Sequence, residues 1–298
     1  MAPETDLEFF PGFELRTLET PEAAIRLRLG GRGPALLLLH GHPQTHAMWN
    51  AVAPALAADR TVVCADLRGY GGSSKPPTAA NHEPYSKRAM ARDMVAVMSA
   101  LGFDRFDLAG HDRGGRVAYR LALDHPERVR RLAVLDIVPT FEMWRRVDKE
   151  FGMVNWHWFF LSQPEPFPER VITAAPDAFY FRGDRSRFHP DSLADYLAAV
   201  EDPATVHAMC EDYRAGATYD DAADAADIDA GRRIECPVHA LWGSRGELGR
   251  WFDVLGVWRR WVAGPVTGRP LDAGHFLAEE AAGATVAELD RFFTPERG

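Results

Sequence analysis

Leu108-Ala109-Gly110-His111-Asp112-Arg113-Gly114-Gly115-Arg116 joins a strand-like run, Phe106 to Ala109, to a helical pattern. That pattern begins near Gly114 and continues through Val117, Ala118, Leu121 and Ala122. Asp112 stands between, with Gly110 and Gly114 two positions either side, which is the form of a nucleophile elbow on a tight strand-to-helix turn. The glycines suit a turn whose backbone segments leave no room for side chains. Taken alone, Asp112 also suits a helix N-cap, and the rest of the chain decides between the two.

The residue type narrows the chemistry. A Ser that displaced a leaving group from saturated carbon would be left as a stable ether. An Asp gives an ester, which water activated by a His can open at the carboxyl carbon, with an oxyanion hole holding the intermediate. An Asp elbow therefore suits dehalogenation or epoxide opening and excludes a serine-type esterase at this position.

The surrounding elements predict an α/β fold with a mostly parallel sheet. Glu14 to Glu19 and Ala24 to Leu29 read as strands, the second with the alternation Ile25-Arg26-Leu27-Arg28-Leu29 of a half-buried antiparallel strand. Ala35 to Leu39 and Thr61 to Ala65 are continuous apolar runs of the kind buried on both faces. Trp49 to Ala58 and Tyr85 to Leu101 read as helices, the latter with Met90, Met94, Val97, Met98 and Leu101 as its apolar stripe, where the methionines fill core. Val129 to Leu135 is the next strand. Up to this point strand and helix alternate as in a doubly wound sheet, whose sites lie at the carboxyl ends of the strands. Thr140 to Ala230 is helical in pattern and rich in aromatic residues, and reads as a cap inserted after the sixth strand. The expected division is a core of 1–139 and 231–298 with a cap of 140–230. The sheet resumes at Cys236 to Gly243, adds a strand near Thr267 to Leu271, and the last helix is expected from Ala278 to Phe293. In the loop after Ala65, Asp66 and Arg68 are expected to pair.

Three more stretches supply the chemistry. His40-Gly41-His42-Pro43-Gln44 follows the third strand where an α/β-hydrolase keeps its oxyanion loop, with the backbone N–H groups of His42 and Arg113 as donors. Gly274-His275 follows the last strand, where His275 would activate water. Asp136, at the end of the sixth strand, is the acid expected to orient His275, with Glu247 as the alternative.

Composition bounds the partners. A net charge of −9 over 298 residues argues against nucleic acid and makes any anion site a local cluster of Arg. Three cysteines, Cys64, Cys210 and Cys236, read as reduced residues of a cytoplasmic protein. No apolar run approaches the roughly 18 residues of a membrane span, and the acidic start, Met1 to Asp6, does not read as a signal peptide.

The motifs together resemble the fluoroacetate (haloacetate) dehalogenase family of α/β-hydrolases over nearly the whole chain. They are His40-Gly41-His42-Pro43-Gln44-Thr45, Gly110 to Arg116, His157-Trp158, Asp212-Tyr213-Arg214-Ala215 and Gly274-His275-Phe276. The resemblance implies an eight-stranded sheet with a helical cap, no cofactor and no metal, a small haloacid and water as reactants, and a homodimer. It makes Asp112, Asp136 and His275 catalytic. It gives the substrate carboxylate to Arg113 and Arg116, whose forks match it geometrically, and the departing halide to His157, Trp158 Nε1 and the Tyr213 hydroxyl. Trp156 and Trp158, two apart on a helix, point in different directions, so one of them is expected to share the site. Where the family commonly carries Phe, this chain has His42. Two other functions remain in view. An epoxide hydrolase would use the same acids and base with two cap tyrosines, drawn from Tyr180, Tyr196, Tyr213 and Tyr219. A non-catalytic binding protein of the same fold would not need a complete nucleophile, acid and base.

Overall fold

The computed structural model describes residues 9–183 and 185–294. The acidic start, Met1 to Asp6, lies outside them. The first half of the chain gives β1 (Phe13–Glu19), β2 (Ala24–Gly31), β3 (Ala35–Leu39), α1 (Ala53–Leu56), β4 (Thr61–Ala65), α2 (Lys87–Ala100), β5 (Phe106–His111), α3 (Asp112–Asp124) and β6 (Val129–Leu135). A helical segment follows: α4 (Thr140–Arg145), α5 (Lys149–Val154), α6 (Trp156–Leu161), α7 (Phe167–Thr173), α8 (Pro176–Tyr180), α9 (Pro190–Val200), α10 (Pro203–Ala217) and α11 (Tyr219–Asp229). The chain then returns to β7 (Val238–Gly243), α12 (Leu248–Trp251), α13 (Val254–Trp261), β8 (Val266–Leu271), α14 (Leu277–Glu280) and α15 (Ala282–Phe293).

The strands form one eight-stranded sheet in the order β1-β2-β4-β3-β5-β6-β7-β8. β2 runs antiparallel to both its neighbours, and the pairs from β4 to β8 are parallel. The central strands are buried along their length, as the all-leucine run of β3 requires when helices cover both faces. Met90, Met94, Val97 and Met98 of α2 are fully buried in that core. The helical segment is tied down by ion pairs, buried at Arg120 and half-buried at Arg26. Arg120 of α3 bonds Asp224 of α11 at 2.6 Å and also reaches Asp227, and Arg26 of β2 bonds Asp195 of α9 at 2.7 Å.

Three local expectations are corrected. The helix expected over Trp49 to Ala58 is a 3-10 turn at His46–Trp49 and a single turn of α1. Pro54, which lacks an N–H and clashes with the preceding turn, does not let a helix run through. The last helix is broken at Ala281, whose φ of −141° is not helical, into α14 and α15. Asp66 does not pair with Arg68. It accepts from Arg26 Nε at 2.5 Å and from His46 at 2.8 Å, and also from the Gly72 N–H at 3.0 Å, which curls the loop back on it. Arg68 extends away to Asp93 of α2 at 2.5 Å.

The elbow is formed by contact. A Cβ on Gly110 would meet the Gly114 carbonyl oxygen at 2.4 Å, and one on Gly114 would meet that of His40 at 2.3 Å. Strand β3, the end of β5 and the start of α3 can therefore touch backbone to backbone only with glycine there. At the apex Asp112 takes φ +46°, a left-handed value that costs a residue with a side chain of order 1–3 kcal/mol.

Candidate active site

Asp112 begins α3 two residues earlier than the sequence pattern suggests. Its carboxylate does not cap its own helix. Oδ2 accepts the backbone N–H of His42, from the loop after β3, at 2.9 Å. Of the two expected oxyanion donors this one is in contact. The Arg113 N–H makes no bond to the carboxylate among the described residues.

His275 follows β8 and directs Nε2 toward Asp112 Oδ2 at 4.0 Å. On its other side Nδ1–H donates to Asp136 Oδ2 at 2.6 Å. Asp136 sits just beyond β6, itself at φ +53°, and its Oδ1 accepts the Gly243 N–H from the end of β7 at 2.9 Å. Glu247, the alternative acid, lies at the edge of the same cavity and pairs with Arg250 instead. The loop that carries His275 is held by Glu280, which accepts from the N–H groups of Gly274 and Phe276 at 2.6 and 3.2 Å. It is held also by His111, a residue with no sequence signal of its own. The Nε2–H of His111 donates to the His275 carbonyl at 2.8 Å.

The electrostatics follow from these bonds. Burial alone would raise the Asp112 carboxyl, but His275, His111, Arg113 and Arg116 outweigh it and hold the group well below the usual carboxylate range. Burial alone would lower His275. The hydrogen bond and charge of Asp136, with Asp112 beside it, raise it instead. The pair is thus an ionised carboxylate beside an imidazole that readily takes a proton.

Asp112, Asp136, His275, His42, Arg116, His157, Trp158 and Tyr213 all line one cavity of about 380 Å³ beneath the helical segment. Trp158 Nε1 and the Tyr213 hydroxyl, on α6 and α10, have no protein partner among the described residues. Burial, and then the Asp112 charge, keep Tyr213 protonated by raising it well above a free phenol. Burial pushes His157 down to about 4, so its imidazole is neutral.

The two arginines part company. Arg116 is buried at the cavity wall, and Nη1 donates to the Val138 carbonyl at 3.1 Å and to Thr140 Oγ1 at 3.2 Å. Its guanidinium lies over the Trp158 ring at 4.7 Å, and Nε has no partner among the described residues. Burial, and then the neighbouring charge of Arg113, lower it below an ordinary guanidinium. Arg113 is turned away from the cavity. Nε and Nη2 make a two-pronged bond to the Asp212 carboxylate at 2.8 Å each, and Nη2 also donates to the Asp212 carbonyl. Lys87 and the Tyr70 hydroxyl reach the same carboxylate. The resemblance gives the substrate carboxylate to both arginines, and in this structure the fork of Arg113 is bonded to Asp212. A carboxylate from α10 already occupies it.

The expectation that one of Trp156 and Trp158 shares the site is also corrected, because both line the cavity. Trp156 is the first residue of α6, with Arg182 over its ring at 4.9 Å and Phe179 at 5.5 Å. Tyr180, Arg182, Met143 and Trp251 complete the wall. Of the four tyrosines considered, Tyr180 and Tyr213 are on the cavity and Tyr196 and Tyr219 are not.

The chain and its fold are similar to known proteins. A family profile described as the alpha/beta hydrolase fold matches residues 34–282. A fluoroacetate dehalogenase of Burkholderia sp is 46% identical over 97% of this chain and 96% of its own length. The chain belongs to the haloacetate dehalogenase family of α/β-hydrolases. Other relatives of this dehalogenase-family chain carry different names. A soluble epoxide hydrolase of Corynebacterium sp. is 31% identical over 90% of the chain and 92% of its own. A solved structure from Nostoc sp PCC 7120, provisionally described as an alpha/beta hydrolase, is 50% identical with a TM-score of 0.93, over 96% of this chain and 99% of that one.

Proposed function

We propose that the protein is a haloacetate dehalogenase that converts a haloacetate, fluoroacetate or chloroacetate, to glycolate and halide through an ester on Asp112. The observation that carries this reading is Arg116. A buried guanidinium with no carboxylate partner among the described residues shares one cavity with an ionised carboxylate nucleophile, and a small carboxylate substrate would pair with it. Arg113 supplies the oxyanion N–H, and its side chain, held by Asp212, adds fixed positive charge behind the site. The substrate carboxylate on Arg116 sets the α-carbon before Asp112.

Asp112 attacks the α-carbon, a C–O bond forms, and the carbon–halogen bond breaks with its electron pair leaving on the halide. His157, Trp158 Nε1 and the Tyr213 hydroxyl donate to that halide. His275 Nε2 then takes a proton from water, whose oxygen attacks the Asp112 carboxyl carbon. The oxyanion forms at Oδ2, against the His42 N–H and the Arg113 N–H. Collapse releases glycolate, whose oxygen takes the proton held by His275, and the second proton of the water, left on the new Asp112 carboxyl, is lost to solvent, which restores the carboxylate. Asp136 keeps Nδ1 protonated and stabilises the imidazolium. The helical segment 140–230 acts as the cap that closes the site, and the protein works as a cytoplasmic homodimer, which sizing of the purified protein tests.

Epoxide hydrolysis is the second reading. Tyr180 and Tyr213 favour it, since both line the cavity and neither hydroxyl has a protein partner among the described residues. Against it stands Arg116, for which a neutral epoxide offers no anion. Halide release from fluoroacetate and chloroacetate, assayed beside opening of a styrene-type epoxide, separates the two. The dehalogenase reading expects halide from wild type and none from Asp112→Asn. Epoxide opening without halide would overturn it.

A further inference from the structure

His42 is used above only through its backbone, yet its side chain is a wall of the cavity. The ring lies 5.1 Å from that of Tyr213 and 6.5 Å from that of His157, two of the three proposed halide donors. It also lies 5.1 Å from Tyr180. Burial, and then the neighbouring His157, push the imidazole down to about 3, so it is neutral and carries one ring proton.

The position of that proton follows from the surroundings. Nδ1 is sealed from solvent and has no partner among the described residues. A buried N–H left without an acceptor is rarer and more costly than a buried lone pair left bare. The proton therefore sits on Nε2, which has no protein partner either and is not sealed. The ring that carries it lines the cavity beside Tyr213 and His157. Phe at this position would offer the same bulk and no donor.

The geometry points to His42 as a specificity-determining residue, whose Nε2–H is a fourth donor to the departing halide and biases the enzyme toward the carbon–fluorine bond. The inference rests on the dehalogenase reading. Its chemistry is general. Fluoride concentrates its charge most and gains most from each added hydrogen bond, whereas chloride and bromide leave with less help.

The test is the ratio of fluoride to chloride release, measured as kcat from fluoroacetate and chloroacetate, for wild type, His42→Phe and His42→Gln. Every variant keeps the backbone N–H that serves Asp112. A charge-assisted hydrogen bond of ordinary strength predicts that His42→Phe lowers the ratio about tenfold. Gln, whose side-chain amide reaches the place of Nε2, holds the ratio within about threefold of wild type. If the Phe variant is insoluble, His42→Leu carries the same comparison. An active His42→Phe or His42→Leu enzyme with an unchanged or higher ratio overturns the inference and leaves the dehalogenase reading standing. So does an equal loss for both halides, which would mean a packing role alone. A wild-type enzyme that releases neither halide overturns both.

Discussion

Replacing Arg116 by Met separates substrate binding from folding, because the two arginines of the elbow sit in opposite electrostatic settings. Arg116 is 2% exposed, its bonds go to one carbonyl and one hydroxyl, and its Nε is unpartnered. A substrate carboxylate that binds there forms a buried charge pair, and truncating one side of such a pair costs about 3–4 kcal/mol. At 1.36 kcal/mol per factor of ten, kcat/KM for chloroacetate falls roughly 10²–10³-fold. The fold loses little, since a buried cation without a dedicated carboxylate is replaced by an apolar chain of similar length, and Thr140 keeps its bond to the Tyr119 hydroxyl. The melting temperature should stay within about 2 °C of wild type or rise. Arg113→Met should behave in the opposite way. It breaks a two-pronged buried pair and leaves Asp212 to Lys87 and Tyr70, at a cost of about 3 kcal/mol, the lower end for a broken buried pair. At about 2–4 °C per kcal/mol for a chain of this size, it melts roughly 6–12 °C lower. Chloride-release kinetics and thermal melts of both variants decide. The reasoning fails if Arg116→Met melts lower than Arg113→Met, or if it loses less than tenfold in kcat/KM.

Further outcomes follow from two titrating groups, His275 and Glu279. His275 must be neutral to accept a proton from water, and Asp136 raises it above its ordinary value of 6.5, so kcat should fall on the acid side with an apparent pKa above that value. Asp136→Asn should move this limb to lower pH and cut the plateau by about 10³–10⁴-fold, and a limb that does not move contradicts the assignment of the acid. The same bond contributes stability that is fully present below 6.5 and lost as pH rises through the raised native value. The thermal penalty of Asp136→Asn should therefore shrink from mildly acid to alkaline buffer. Glu279 lies half-buried between Tyr196 and Gln44, and desolvation raises it to about 8. Its native value lies above the unfolded one, so its contribution is full below 4.5 and is lost as pH rises through about 8. Glu279→Gln should therefore raise the melting temperature more at pH 9 than at pH 5, and an equal change at both would show that ionisation is not the cause.

The sheet and the elbow were legible because their signals are local. Apolar runs such as Ala35 to Leu39 and the spaced glycines around Asp112 have one good structural solution each. The acid–base pair could be read from strand order, since Asp136 and His275 each leave the carboxyl end of a strand. The side chain of Arg113 could not be read, because its fate depends on Asp212, on a helix far along the chain, which reaches the fork before any substrate does. The same holds for Asp66, claimed by Arg26 and His46 rather than by the nearby Arg68. Trp156 and Tyr180 needed the packing of α6 and α8 to be known before they could be placed on the cavity. His111 gives no sequence signal at all, since a lone His beside a glycine says nothing of a carbonyl 164 residues away.

The central claim is that Asp112 becomes an ester during turnover. In His275→Ala the attacking water loses its base, so the ester should accumulate. Digestion of that variant after incubation with chloroacetate, followed by mass spectrometry, should find one added carboxymethyl group on Asp112, formed in step with chloride release and absent from Asp112→Asn. Chloride release with no adduct on Asp112, or an adduct on another residue, would contradict the account.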